Sequence, residues 1–370
     1  MKRGIAILLL ALGFLLWGCP SCLAEGLVEQ TAGEAGLSTL EEGLEGTASQ
    51  IAGELPMNGS YDTQGALSRL WEYVRRELTE QFHAQFVFAL RLAALPFLCA
   101  LADAVTESRA SREAISLAAC CAASVWLAGD WDSGIAQAMD TLESLSDYSR
   151  AALPVVYTAA AAAGGVSSAP LKYAASCLAI EVMMTASRRL VLPLIRCYLA
   201  LALCGCVCEN SLVAAVGRLV KFLAVTVMSA VTAGFCLYVG VTGLVAGSTD
   251  AAAVKAARTV IASVLPVVGG ILSDSAASLL AAAGVVRSTA GVFALIALCA
   301  LCAGPLIFLL LKMLFLRAAA TLAELLPGGR LSKLLEQLGT VFAMLLGLLG
   351  SSGVMLFFSL MAGMKAVVTG

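Results

Sequence analysis

The feature that most constrains this chain is a set of long apolar runs separated by short basic loops. The runs from Phe222 to Ala246 and from Leu338 to Met364 contain no charged side chain, and each exceeds the roughly 20 residues a helix needs to cross the hydrocarbon core of a bilayer. Composition points the same way. Hydrophobic residues make up 60% of the chain and charged ones 13%, with a mean hydropathy of +0.92, whereas about a quarter of a soluble domain is charged. The fold class read from this is all-α, a polytopic helical membrane protein. A net charge of −2, one histidine and no polybasic run argue for no nucleic-acid partner.

The first residues, "MKRGIAILLLALGFLLWGCPSCLAEG", combine a short basic region, an apolar run from Ile5 to Trp17 and small residues up to Ala24. That is the pattern of a cleavable signal peptide over 1–24, which leaves the mature N-terminus extracytoplasmic. Two alternatives stay open: lipidation at Cys19, and an uncleaved first span. Residues 25–66 then carry acidic side chains and no lysine or arginine among many Gly, Ser and Thr, an acidic, largely disordered leader. From 67 to 84 the apolar positions Leu67, Leu70, Trp71, Val74, Leu78 and Phe82 recur at helical spacing. An interfacial amphipathic helix is expected there.

The remainder, 85–370, is the transmembrane domain, and it contains an internal duplication. "LPVV" occurs at 153–156 and 265–268, "PLI" at 193–195 and 305–307, and "GRLVK" at 217–221 answers "GRLSK" at 329–333, all at an offset of 112 residues. Three ordered, ungapped pairs mark repeats of about 151–262 and 263–370. A partial copy fills 85–150, where "LPF" at 95–97 precedes the basic "ESRASRE".

Each copy reads as a proline-bearing apolar helix, a basic loop and a second apolar helix. Basic loops stay cytoplasmic, so Arg109, Arg112, Arg218, Lys221, Arg330 and Lys333 are expected inside, with spans near 85–104, 113–129, 174–204, 219–246, 289–316 and 338–364. Both mature ends then lie outside. Between them, 129–150 has Trp131, Ile135, Met139, Leu142, Leu145 and Tyr148 on one helical face and Asp132, Asp140, Glu143 and Asp147 off it. That segment is expected along the outer interface. The stretches after Leu153 and Leu265 are short, glycine-broken and rich in small residues, which suits protein-buried or re-entrant helices. Full spans there would make eight membrane segments instead of six.

Nothing in the sequence offers catalytic chemistry. His83 falls on the amphipathic segment, and in "CGCVC" at 204–208 the thiols of Cys204 and Cys208 share a helical face while Cys206 points away, so no metal and no cofactor is expected. Three charged groups stand out at membrane depth. Glu181, Arg188 and Arg189 are costly in such a segment and are the candidate intramembrane polar pathway, with Glu181 placed to face Arg188; snorkelling arginines and a locally paired Glu181 are the competing reading. Gly243 with Gly247, and Gly347, Gly350 and Gly353, are candidates for close helix packing.

"LPVVYTAAAAAGGVSSA", "RTVIASVLPVVGGILSDSAASLLAAAGVVRSTAG" and "GPLIFLLLKMLFLRAAATLAELLPGG", in that order before a closing apolar span, resemble the stage III sporulation protein AE family. Pro154, Gly164, Gly165, Pro266, Asp274 and Pro305 lie within those stretches. The resemblance implies a multi-pass protein of the mother-cell membrane around the forespore. It implies membership of a channel or feeding-tube complex, with an ATPase, other membrane subunits and ring-forming proteins as partners and no catalytic residues of its own. A homo-oligomer is compatible with it. The alternative is a self-contained secondary transporter, for which internal repeats are common, although repeats with their basic loops on one side are parallel and suit a scaffold or pore module better.

Overall fold

The computed structural model describes residues 47–52, 62–162, 168–208, 211–235, 269–324 and 329–364. The expected signal peptide, most of the acidic leader, and Gly164, Gly165, Gly243, Gly247 and Pro266 lie outside the described residues. Within them there is no strand. The helices are α1 Thr47–Ala52, α2 Thr63–Val105, α3 Arg109–Ala162, α4 Ser168–Ala186, α5 Leu192–Cys208, α6 Ser211–Phe235, α7 Gly269–Glu324 and α8 Arg330–Met364; a π-helical turn, Ser187–Val191, joins α4 to α5. Asp274 lies in α7.

Six segments among the described residues are long and apolar enough to cross a membrane: Thr63–Ala102, Ala110–Ala159, Ser176–Cys208, Ser211–Phe235, Ala290–Glu324 and Arg330–Gly363. Each overlaps one expected span. Five of the segments are longer than expected, Ser211–Phe235 being the exception, because the helices run on through positions where the sequence suggested a change of element. With its 54 residues, α3 extends to about 80 Å, well over twice the ~30 Å hydrocarbon thickness. Pro96, Pro154 and Pro305 sit inside α2, α3 and α7. Proline removes one backbone donor, which spanning helices tolerate where neighbours or small local adjustments satisfy the freed carbonyl.

The central pair is α7 with α8; Leu309 of α7 and Leu335, Leu338, Leu345 and Leu348 of α8 are fully buried. Helix α2 lies on α7, α3 lies across both members of the pair, and α4 and α5 pack against α3 and α8. Residues 67–84 therefore form the first half of a single helix that continues to Val105. Leu70 is buried there and Val74 packs against the core; Leu67, Trp71 and Leu78 stay exposed, and the half-exposed Phe82 meets the Phe315 ring of α7 edge-on at 5.3 Å.

The segment 129–150 corrects the sequence reading in place but not in orientation. Trp131, Ile135, Leu142, Leu145 and Tyr148 do share a face, but that face is buried in the bundle instead of lying along the outer interface. Its apolar side chains find α7 and α8, and the continuous helix holds them there. Tyr148 donates its hydroxyl to the carbonyl of Ala294 at 2.9 Å. A β-carbon on Gly134 would come within 2.6 Å of the Phe342 ring, which is why only hydrogen fits at that crossing. Further along, Leu153, Val155, Val156 and Tyr157 are buried, as expected of a protein-packed helix. Tyr157 donates to the Ser359 carbonyl at 2.9 Å and lies 3.0 Å from the Ser176 hydroxyl, tying α3, α4 and α8 together.

The hairpins turn at one end. Cys120, in the first quarter of α3, pairs with Cys206, near the end of α5, and lies within electrostatic reach of Arg330 at the start of α8. The α2–α3, α5–α6 and α7–α8 connections thus share one end of the bundle, the arrangement that basic loops on a common side require.

Candidate functional site

At the junction of α4 and α5 the helix widens for one turn before Pro193. The N–H of Leu192 donates to the carbonyl of Ser187, five residues back, and the Ser187 hydroxyl donates to the Met183 carbonyl at 2.7 Å. Such π-turns often accompany functional positions, and this one carries Arg188 and Arg189. Both arginines and Glu181 are exposed on the outside of the bundle.

The structure gives Arg188 an acidic partner other than Glu181. Its guanidinium lies 3.1 Å from the Glu143 carboxylate of α3. Glu181 stands two turns away, about 10 Å along the helix axis, whereas the crossing of α3 brings Glu143 alongside. Eight positions further on, Arg196 points to the Met139 sulfur at 4.0 Å. Arginines of the π-turn and α5 therefore flank α3 along its polar side.

That polar side is continuous. Asp132, Ala136, Asp140, Glu143, Asp147 and Arg150 are all exposed, at intervals of three and four residues. The opposite side of α3 is buried and mostly apolar, with Thr141, Ser146 and Ser149 as its buried hydroxyls.

Two polar features went unnoticed in the sequence. Lys312, in α7, is only 3% exposed and holds its Nζ 3.6 Å from the centroid of the Phe88 ring on α2. Beside it on α2, Gln85 is buried and its Oε1 has no hydrogen-bond partner among the described residues. The available signal was Lys312 itself, a lone cation in the run "PLIFLLLKMLFL", since such a residue is costly at lipid depth and normally faces the bundle interior.

The glycine candidates divide. Gly353 approaches Cys302 of α7, and Gly347 approaches Met228 of α6; Gly350 lies in α8 between them. Tighter approaches occur where none was expected. A β-carbon at Gly363 would come within 2.7 Å of Val156, and one at Gly304 within 2.7 Å of the Tyr73 hydroxyl. In "CGCVC", Cys204 and Cys208 are exposed and Cys206 is buried, the division that helical geometry predicts. The crevice between α3, α4 and α8 is lined by Leu145, Ile180, Met183, Met184 and Met355 with the hydroxyl of Ser352, and no charged group enters it.

The family model of stage III sporulation protein AE (spore_III_AE) matches residues 50–366. The chain belongs to the stage III sporulation protein AE family. The stage III sporulation protein AE of Bacillus subtilis (strain 168) is 22% identical over 349 residues, covering 91% of this chain and 87% of that relative. No solved structure matches. Family membership makes this a sporulation protein, and the six long apolar helices among the described residues make it a membrane protein.

Proposed function

We propose that the chain is a non-enzymatic integral subunit of a secretion-like channel joining the mother cell to the forespore. It sits in the mother-cell membrane around the forespore, mature N-terminus outward, and assembles with the ATPase, ring-forming proteins and other membrane subunits of the stage III complex. The observation that carries this reading is how the six helices are packed. Apolar side chains fill most of the interior around the buried Lys312 and Gln85, the crevice at α3, α4 and α8 holds no charged group, and the charged side chains of α3 to α5 whose burial is described are displayed on the outside. A transporter needs a central substrate site at the repeat interface. A channel subunit needs a rigid scaffold with outward-facing functional surfaces, and the bundle has that form.

Affinity purification of the tagged full chain from sporulating cells tests the assignment. Co-purification of the ATPase and the other membrane subunits, together with loss of late forespore gene expression on deletion, is the expected result. Ion-coupled uptake by the purified, reconstituted chain alone would overturn it in favour of a transporter.

A further inference from the structure

The polar stripe of α3 runs beside the apolar middle of α8. Gly134 abuts Phe342, and Leu145 shares a crevice with Ser352, Met355 and Leu356. The stretch of α3 from 134 to 145 therefore runs beside the middle of α8, inside the run from Leu338 to Met364 that contains no charged residue. If α8 spans the bilayer, Asp140 and Glu143 lie at hydrocarbon depth. From Asp132 to Arg150 the exposed stripe is about 27 Å long, close to the full thickness of the hydrocarbon core. Arg188, Arg189 and Arg196 stand next to it at the same depth, Arg188 bonded to Glu143 and Arg196 reaching Met139.

Acyl chains cannot cover such a surface. Ionised groups at lipid depth face water or protein, and nothing among the described residues covers these: the Arg188 and Glu143 side chains keep 44% and 57% of their surface exposed. Because the interior behind the stripe is packed, a passage has to form in front of it, between chains. We infer that the stripe Asp132–Asp140–Glu143–Asp147–Arg150, with Arg188, Arg189 and Arg196, is the wall of an aqueous passage enclosed by several copies of this chain. The inference rests on the channel reading and deepens it by naming the surface that faces the transported material. That surface carries acidic and basic groups side by side, which suits hydrated, polar cargo of either sign and gives no deep binding site to any. Glu181, exposed two turns before Arg188, extends the wall toward the other end of the bundle.

The test uses single cysteines in the full chain, with the exposed native Cys121, Cys197, Cys204 and Cys208 replaced by alanine. Ala136→Cys, Asp140→Cys, Asp147→Cys and Arg189→Cys are compared with Phe358→Cys, an exposed apolar position of α8. The probe is a charged methanethiosulfonate, applied to cells and to the purified chain in liposomes. Because only thiolate reacts and a thiol in hydrocarbon stays protonated, modification of the stripe is expected to be at least about tenfold faster than at Phe358→Cys in both settings. Ala136→Cys is a conservative change at an exposed site, so it reports even if replacing a charge disturbs folding. Stripe positions as slow as Phe358→Cys overturn the aqueous wall; fast reaction in cells with none in liposomes overturns self-enclosure and gives the opposite wall to another subunit. Neither result bears on co-purification with the ATPase, so failure here and failure of the channel assignment remain distinguishable.

Discussion

Lys312 of α7 holds its ammonium 3.6 Å from the centre of the Phe88 ring of α2, at a site only 3% exposed. A desolvated cation over an aromatic face gains about 2 kcal/mol. Phe88→Leu is therefore expected to destabilise the chain by ~1–2 kcal/mol. Phe88→Leu should cost clearly less in the Lys312→Met background. Thermal unfolding in detergent measures all three. Equal cost in both backgrounds would mean that the ring only packs against the lysine stem.

Glycine contacts on α3 and α8 predict a ranking. At Gly134 an added methyl meets the Phe342 ring at 2.6 Å, a fully buried side chain with nowhere to move; at Gly347 it meets the terminal methyl of Met228 at 3.0 Å. Methionine adapts readily. Gly134→Ala should cost ~1–3 kcal/mol and Gly347→Ala about 0.5 kcal/mol or less. The cost of Gly134→Ala should shrink when Phe342 is replaced by leucine. Similar melting shifts for the two single variants would contradict the packing.

These contacts mark how far the sequence could be read. Helical spacing of Trp131, Ile135, Leu142, Leu145 and Tyr148 identified the apolar face of α3, because a 3.6-residue period depends only on local geometry. Where that face goes was not legible, since an outer membrane interface and the flank of α8 reward the same side chains. Glu143 precedes Arg188 by 45 positions, so no local pattern could pair them. Gly347 and Gly353 stood out as small residues in a spanning run, yet their neighbours Met228 and Cys302 come from other helices. Lys312 was visible as a letter, but only the crossing of α2 supplies Phe88.

Sidedness follows from the shared end of the hairpins. Ser111 is exposed near the start of α3; Gly329 is exposed before α8, with open space around any added side chain. Ser332 is unsuitable as a probe because its hydroxyl is buried against the Ala320 carbonyl. Cysteines at 111 and 329 should resist an impermeant maleimide in intact cells and react after lysis, the outcome expected of basic loops held on the cytoplasmic side. Reaction at one position and not the other before lysis would break the parallel arrangement.

The bond between Arg188 and Glu143 measures the medium around it. A half-exposed pair in contact with water contributes about 0–1 kcal/mol and weakens with salt. The same pair facing acyl chains would be coupled by several kcal/mol, because removing either partner would strand a charge in a medium of low dielectric. A double-mutant cycle with Arg188→Gln and Glu143→Gln separates the cases, since glutamine preserves length and removes charge. The expected coupling is ~1 kcal/mol or less and falls further as salt is raised. Each single variant should then fold with near-parental stability, and any loss of spore yield would reflect the altered charge of the wall. A salt-independent coupling above about 3 kcal/mol would place the pair in a dry environment and remove the physical basis for water along α3.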